Sequence, residues 1–347
     1  MNLRKGFYHS TKIIVSLTLI WALVFATSVF AKQEQREEVD YLALGNSLAA
    51  GVTPYNELGK GYTDFLAERI ERIGYLAHWD KRYAVPGYTT TNVLDDIKND
   101  VKKDTDSSKD EKGIRENIRD AEIITLDAGA NDLLKQIKIL PDGTVNADPA
   151  VVQQVLTQIG SNLTFISREI HELNDDVSLY IMGYYNPYSY LPEEQQKQLK
   201  PILDLLNKTI QKVAKNEKAT FVPTADAIAE DFEKYLPNPL NIHLSEEGYE
   251  VVADLFWNYV IKEFKAEKLL ISKKSVTLKE GAKTQLKLTA VYKNGARENV
   301  TAFAKWTTTK SKVARVKAGL IEAKDKGEAT IKALFDGELI KIPVTVK

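Results

Sequence analysis

The chain has 347 residues, of which 44% are hydrophobic and 27% are charged, and this composition is typical of a folded globular protein rather than a disordered one. Its length is sufficient for two domains. It contains no cysteine, which excludes disulfide bonds, a thiol nucleophile and metal sites built on thiolates.

The formal net charge of -1 hides a strong asymmetry along the chain. Residues 268–347 carry 18 Lys and Arg against 7 Asp and Glu, a net charge of +11. Residues 32–267 carry 26 basic residues against 41 acidic ones, a net charge of -15. The sequence therefore describes an acidic body followed by a basic C-terminal segment.

The first residues have the pattern of an export signal. Arg4, Lys5 and Lys12 precede nineteen uncharged residues that end in Val29-Phe30-Ala31, a small-x-small cleavage pattern. This predicts a secretory signal peptide over residues 1–31. Nineteen apolar residues can also just span a bilayer, so an uncleaved anchor is the alternative. Both interpretations predict a secreted or cell-envelope associated protein.

Between residue 39 and about residue 267, short apolar runs alternate with longer segments of helical period. The predicted strands are Val39–Leu44, Tyr83–Val85 with the residues before it, Ile123–Leu126, Val177–Met182 and Thr220–Val222. The predicted helices include Tyr62–Ile73, Val152–Leu173 and Glu193–Ala214. Five strands with helices between them predict an α/β fold, a doubly wound parallel sheet in three layers whose ligand crevice lies beyond the carboxyl ends of the strands.

From Leu269 onward the hydrophobic period changes to two, and turns that contain glycine interrupt it. Short strands over about eighty residues predict a β-sandwich. We therefore expect a signal peptide at 1–31, an α/β domain at 32–267 and a β-sandwich domain at 268–347.

Ser47 is the first candidate nucleophile, because it directly follows the strand at Val39–Leu44 and precedes small residues that allow a sharp turn. A serine in this place is equally typical of a helix N-cap. The stretch also differs from the G-x-S-x-G turn of α/β-hydrolases, since Ala49 stands where the second glycine would be.

A serine nucleophile needs a base, and the α/β segment has three histidines. His78 lies in an apolar stretch and is expected to pack, and His171 is expected on the solvent face of a helix. His243 stands in a loop before a helix and is the best candidate by position. Gly87 and Asn131 each follow a strand and could donate hydrogen bonds to an oxyanion.

The order of these pieces resembles the SGNH (GDSL-type) hydrolase family: Gly-Asn-Ser-Leu after the first strand, Gly87 after the second, Gly-Ala-Asn-Asp after the third, and a late loop histidine. The segment that begins at Tyr184 is similar to secreted Gram-positive members. The resemblance covers about residues 39–262 and implies a metal-independent enzyme without a cofactor. It implies that Ser47 is the nucleophile and His243 the base. The oxyanion hole would consist of the Ser47 and Gly87 N–H groups and the Asn131 side chain.

Two residues depart from the family pattern. Asn46 replaces the Asp of the first block, where its carbonyl oxygen can still accept the bonds of the turn. Leu240 replaces the Asp that the family places three residues before the histidine, and leucine cannot hold an imidazole tautomer. Asn241 could orient the ring of His243 through its side-chain oxygen, without a charge, and a backbone carbonyl is the alternative.

The basic C-terminal segment resembles the bacterial Ig-like group 2 domain over about residues 269–347. The resemblance rests on the segments that begin at Val276, Trp306 and Gly319. It implies a cell-envelope or adhesive module. The charge of +11 predicts attraction to anionic cell-wall polymers, whereas lysines that only keep edge strands soluble are the alternative. The segment lacks an aromatic-basic motif for nucleic acid.

We therefore expect an exported serine esterase or lipase that hydrolyses carboxylic esters of a small molecule, lipid or glycan. We expect it to work as a monomer, with no cofactor, metal or nucleic-acid partner. Two alternatives remain at this point. One is a catalytically degraded SGNH domain that serves as a surface binding module, and the other is an O-acetyl esterase or transferase acting on envelope polysaccharide.

Overall fold

The computed structural model describes residues 38–103, 112–140 and 145–347, so the predicted signal peptide at 1–31 lies outside the described residues. In chain order, the elements of the first part are β1 (Val39–Gly45), α1 (Ser47–Ala50), α2 (Tyr62–Arg72), β2 (Leu76–Ala84), α3 (Thr90–Lys98), α4 (Ile114–Asp120), β3 (Ile123–Asp127), α5 (Ala130–Leu134), β4 (Lys138–Ile139), β5 (Val145–Asn146), α6 (Pro149–Leu173), β6 (Ser178–Met182), α7 (Glu193–Asn216), β7 (Thr220–Val222), α8 (Ala225–Ala229), α9 (Phe232–Tyr235), α10 (Glu246–Val260) and a 3₁₀ turn (Ile261–Glu263).

Five strands form one parallel sheet in the order β2-β1-β3-β6-β7, which confirms the predicted α/β class. All of β3 and nearly all of β1 are buried, as expected for parallel strands covered by helices on both faces. The helices pack in groups: α2 contacts α10, and α6 contacts both α3 and α7. The continuous apolar runs in the sequence are thus the buried centre of the sheet.

The second strand is longer than predicted. It begins at Leu76, and Val85 belongs to the turn that follows it. This edge strand includes His78, whose side chain is exposed, so the expectation that His78 packs in the core is wrong. A strand at the edge of the sheet leaves part of its length open to solvent, and flanking apolar residues do not reveal this.

The strand order reverses direction at β1, since β2 lies on one side of it and β3 on the other. This is the topological switch point at which open α/β sheets bind ligands. Gly45 at the end of β1 is paired with Asp127 at the end of β3. Ser47 and Asn131 both follow these ends, so the chain topology places them at one edge of the sheet.

The C-terminal part contains β8 (Lys268–Ile271), β9 (Val276–Leu278), β10 (Lys283–Gln285), β11 (Leu288–Val291), β12 (Arg297–Asn299), β13 (Lys305–Thr308), β14 (Ala314–Lys317), β15 (Leu320–Ala323), β16 (Gly327–Phe335) and β17 (Glu338–Val346). Every pairing among them is antiparallel except β17 with β9. Buried and exposed residues alternate along β16 and β17, as expected for a β-sandwich with one face of each sheet in the core.

The two parts of the described chain are packed together and belong to one compact unit. Tyr75 contacts both Phe264 and Tyr292 through its ring. The guanidinium of Arg72 lies 2.7 Å from a carboxylate oxygen of Glu298. Within the described part of the chain, no helix has both the length and the apolar character needed to cross a membrane.

Candidate active site

Ser47 lies in a tight turn that glycine makes possible. It is the first residue of the short helix α1, and its side chain is largely buried, with 7% of the residue exposed. Gly45 has a φ of +146°, and a Cβ there would lie 1.7 Å from a carboxylate oxygen of Asp127. Only glycine therefore allows β1 and β3 to approach this closely immediately before the serine.

Asn46 and Asp127 hold the turn in a buried hydrogen-bond network. The backbone N–H groups of Asn46 and Ala49 donate to the two carboxylate oxygens of Asp127, at 3.1 and 3.2 Å. The Asn46 amide donates to the carbonyl of Asp127 at 3.0 Å and to the Tyr184 hydroxyl at 3.2 Å, and its oxygen accepts from the Leu48 N–H. Burial raises the pKa of Asp127 well above its usual range. The carbonyl of Asn46 thus accepts a bond of the turn, as its substitution for Asp requires.

His243 and Asn241 form a chain of hydrogen bonds to the serine. Nε2 of His243 lies 2.8 Å from Oγ of Ser47, and Nδ1 lies 2.6 Å from Oδ1 of Asn241. The residues come together although 196 positions separate Ser47 from His243. The arrangement has the order nucleophile, base and orienting group of a serine hydrolase, with a neutral amide in the third position.

The backbone N–H of His243 identifies the orientation of the Asn241 amide, and this orientation indicates the tautomer of the His243 ring. Its N–H donates to the same Asn241 oxygen at 2.9 Å, so that atom must be the acceptor end of the amide. Because the Asn241 oxygen accepts the hydrogen bond, Nδ1 of His243 must carry the proton. Nε2 is then free to accept the proton of Ser47. Burial lowers the pKa of His243 below its ordinary value of 6.5, and this favours the neutral form.

A neighbouring loop holds the amide of Asn241. Its Nδ2 donates to Oδ1 of Asn56 at 2.8 Å, and Nδ2 of Asn238 donates to the carbonyl of Pro54 at 2.8 Å. These two bonds tie the histidine loop to the loop that follows Ser47. Leu240, in contrast, is 93% exposed, so a side chain at its position points away from the imidazole.

Two of the three predicted oxyanion donors, Gly87 and Asn131, are connected through one turn. Residues 85–88 form a turn in which the Tyr88 N–H donates to the carbonyl of Val85. Gly87 has a φ of +84°, as the third position of a type II turn requires, and no atom lies within 4 Å of its missing Cβ. Nδ2 of Asn131 donates one proton to the carbonyl of Tyr88 at 2.9 Å, and its second proton remains for another acceptor.

A cleft open to solvent joins these groups, with Ser47, Gly87, Asn131 and His243 in its wall. The structure therefore brings together all five residues that the sequence singled out, since Asn241 directly supports His243. The N–H of Ser47 lies in the first turn of α1, where N–H groups have no acceptor within the helix.

Several residues that support the site were not predicted from the sequence. Asp127 could have been noticed as an acidic residue at the end of an apolar strand, two positions before the Gly-Ala-Asn-Asp block. Asp132, on α5, accepts hydrogen bonds from the backbone and hydroxyl of Thr90 and thereby joins Asn131 to the start of α3. Asn56 has no sequence signal, because nothing in its own loop indicates that Asn241 lies beside it.

Comparison with known proteins gives one family. The profile of the GDSL-like Lipase/Acylhydrolase family matches residues 43–251, which include Ser47, Gly87, Asn131 and His243. This range is more than half of the chain.

Individual relatives are distant. The uncharacterized protein YpmR of Bacillus subtilis strain 168 is 24% identical over 260 residues, which are 72% of this chain and 95% of that protein. Among solved structures, the lipase Lip_vut3 from a goat rumen metagenome is 18% identical with a TM-score of 0.49, over 63% of this chain and 95% of its own. A family 3 carbohydrate esterase of Clostridium thermocellum is also 18% identical, with a TM-score of 0.43, over 65% of this chain and 96% of its own.

Proposed function

Since this chain belongs to the GDSL-like lipase/acylhydrolase family, we propose that it hydrolyses carboxylic esters through an acyl-enzyme on Ser47. Family membership supports ester hydrolysis in general. The observation that carries the finer proposal is the hydrogen-bond chain from Ser47 through His243 to Asn241, which opens into the cleft beside Gly87 and Asn131.

In the first half-reaction, Oγ of Ser47 attacks the ester carbonyl while Nε2 of His243 takes the hydroxyl proton. The imidazolium that forms keeps its second proton on Nδ1, in a hydrogen bond to Oδ1 of Asn241. The developing oxyanion accepts from the N–H groups of Ser47 and Gly87 and from the second proton of the Asn131 amide.

The tetrahedral intermediate then expels the alcohol, which takes its proton from Nε2 of His243. A water molecule attacks the acyl-enzyme in the second half-reaction, again giving its proton to His243. Collapse of that intermediate releases the carboxylic acid and returns the proton to Ser47. Asn241 supplies no charge in either half-reaction, and we therefore expect a slower enzyme than one with a carboxylate in this place.

A fluorophosphonate probe tests the proposal, because it modifies only an activated serine. We expect labelling of the wild-type protein and hydrolysis of p-nitrophenyl esters, and the loss of both in Ser47→Ala. Ser275→Ala, which changes an exposed serine in the C-terminal part, is the matched control and should behave as wild type. Labelling that persists in Ser47→Ala would assign the nucleophile elsewhere, and a wild type that reacts with neither reagent would favour a surface binding module.

We also propose that the chain is exported and that residues 268–347 form an Ig-like module that holds it at anionic cell-wall polymers. The sequence pattern of residues 1–31 supports export, and the net charge of +11 supports polyanion binding. Such binding is screened by salt, because exposed charges separated by more than about 10 Å interact weakly at 0.1 M ionic strength.

Sedimentation of the full chain with purified cell walls at low and high salt tests this part. One variant removes three exposed lysines of the C-terminal part by substitution with glutamine, at Lys310, Lys312 and Lys317. The control variant removes three exposed lysines of α7 in the same way, at Lys208, Lys212 and Lys215. We expect salt-sensitive binding that only the first variant weakens. Equal binding by both variants would assign the lysines a role in solubility alone.

A further inference from the structure

A second cavity, lined mainly by apolar side chains, extends from Ser47 between α5, the loop after β6, and α7. It has a volume of about 700 Å³, part of which is open to solvent. On α7, the residues that line it recur at helical spacing and so share one face of the helix. Its wall includes Leu133, Tyr184, Tyr188, Leu199, Leu203 and Leu206.

Several polar groups of this wall already have hydrogen-bond partners within the protein. The Tyr185 hydroxyl donates to the carbonyl of Ile242 at 2.7 Å, and the Tyr184 hydroxyl accepts from the Asn46 amide. The Asn186 amide donates to the side chain of Gln196 at 2.8 Å. A polar occupant would therefore lose hydrogen bonds to water and replace only a few of them here.

The cavity and the catalytic cleft meet at the candidate nucleophile. Ser47, Asn131 and Ile242 line both of them. An ester whose carbonyl lies against Ser47 and Asn131 therefore has two directions for its two substituents. The apolar cavity favours the acyl chain, and the open cleft lined by Gly87 and His243 receives the alcohol.

We propose that this cavity is an acyl pocket that selects esters of medium-chain fatty acids, with about six to ten carbons. The proposal rests on the proposed ester hydrolysis at Ser47. A methylene group fills roughly the volume of one water molecule, about 30 Å³, so ten carbons fill about 300 Å³. Such a chain occupies less than half of the space in the cavity, which is partly open to solvent, whereas an acetyl group would leave most of the apolar wall in contact with water.

A series of p-nitrophenyl esters from acetate to palmitate tests the inference with the full chain. Each added methylene should raise kcat/KM about fourfold, the equivalent of ~0.8 kcal/mol per buried methylene, until the pocket is full. We expect a maximum between the hexanoate and the decanoate. A kcat/KM that is constant or falls from acetate onward would overturn the acyl pocket.

Two substitutions at Leu203 place the selection in this cavity. Leu203→Trp fills the space and should lower the ratio of octanoate to acetate hydrolysis at least tenfold. Leu203→Ala enlarges it and should move the maximum to longer chains. Leu205→Trp is the matched control on the same helix, because Leu205 is an exposed residue outside the cavity wall, and its ratio should equal that of wild type.

Ester hydrolysis at Ser47 and selection by the acyl pocket are refuted by different results. If no ester is hydrolysed and Ser47 resists the fluorophosphonate probe, the proposed function is wrong. If acetate is hydrolysed but Leu203→Trp and Leu205→Trp give the same ratio as wild type, the enzyme stands and the acyl pocket is wrong. Denaturation midpoints of the three variants check that each is folded.

Discussion

Replacing Asn241 by Asp adds one negative charge to the hydrogen-bonded series Ser47, His243 and Asn241, in contact with the histidine ring. Oδ1 of Asn241 lies 2.6 Å from Nδ1 of His243, so a carboxylate there would lie beside the imidazolium that forms in the transition state. Asn56, which now accepts a hydrogen bond from the Asn241 amide, can turn its own amide to donate instead.

The size of the effect follows from the charge separation. Two unit charges about 4 Å apart interact with about 4 kcal/mol at an effective dielectric constant of 20. Both residues are only half-buried, and solvent screening reduces this to about 2 kcal/mol. A barrier lowered by about 2 kcal/mol raises kcat about 30-fold. The upper limit is the factor of about 10⁴ in kcat that separates Asp from Asn at the position that orients the histidine in a serine protease triad.

The assay is the pH profile of kcat and kcat/KM on a p-nitrophenyl ester. We expect Asn241→Asp to raise kcat and to move the acid limb to higher pH, because a carboxylate raises the pKa of the histidine. Leu240→Asp is the charge-matched control. It restores the residue of the family pattern, but the side chain at this position is 93% exposed, so its rate should remain within about twofold of wild type.

Asn241 is not the orienting residue if Leu240→Asp accelerates the reaction and Asn241→Asp does not. The same conclusion follows if Asn241→Asp remains folded and leaves both the rate and the acid limb unchanged. Either result would mean that another group orients His243.

Three further predictions concern the turn and the base. Asn46→Asp removes the amide that donates to Asp127 and Tyr184 and should lower the free energy of unfolding by about 3 kcal/mol in urea titration. Adding Asp127→Asn should recover part of this loss, and strictly additive effects would show that the two residues are not coupled. Gly45→Ala should lower the free energy of unfolding by several kcal/mol, because its Cβ would overlap the Asp127 carboxylate. Gly295→Ala has open space around its Cβ and should lower the free energy of unfolding by only about 1–2 kcal/mol, through backbone strain. In wild type, the acid limb of kcat/KM should lie below pH 6.5, because burial lowers the pKa of His243 and the neutral ring is the base; a limb above pH 6.5 would contradict this.

The sequence by itself determined the sheet and the order of its parts. Parallel strands covered on both faces must be apolar throughout, and this local property located β1, β3, β6 and β7 to within a residue or two. Only the C-terminal part of β2 was located, since exposed residues such as Ala77 and His78 interrupt its apolar run. Separated short motifs in a fixed order were enough to select Ser47, Gly87, Asn131 and His243 as candidates.

Only the tertiary structure decided between Leu240 and Asn241 as the residue beside the histidine. These neighbours have similar sequence contexts, but one side chain faces solvent and the other faces the ring, a direction fixed by contacts with Asn56. Asp127 and the apolar cavity emerged for the same reason. Their meaning depends on residues more than eighty positions away, and sequence periodicity reports only on the near neighbours of each residue.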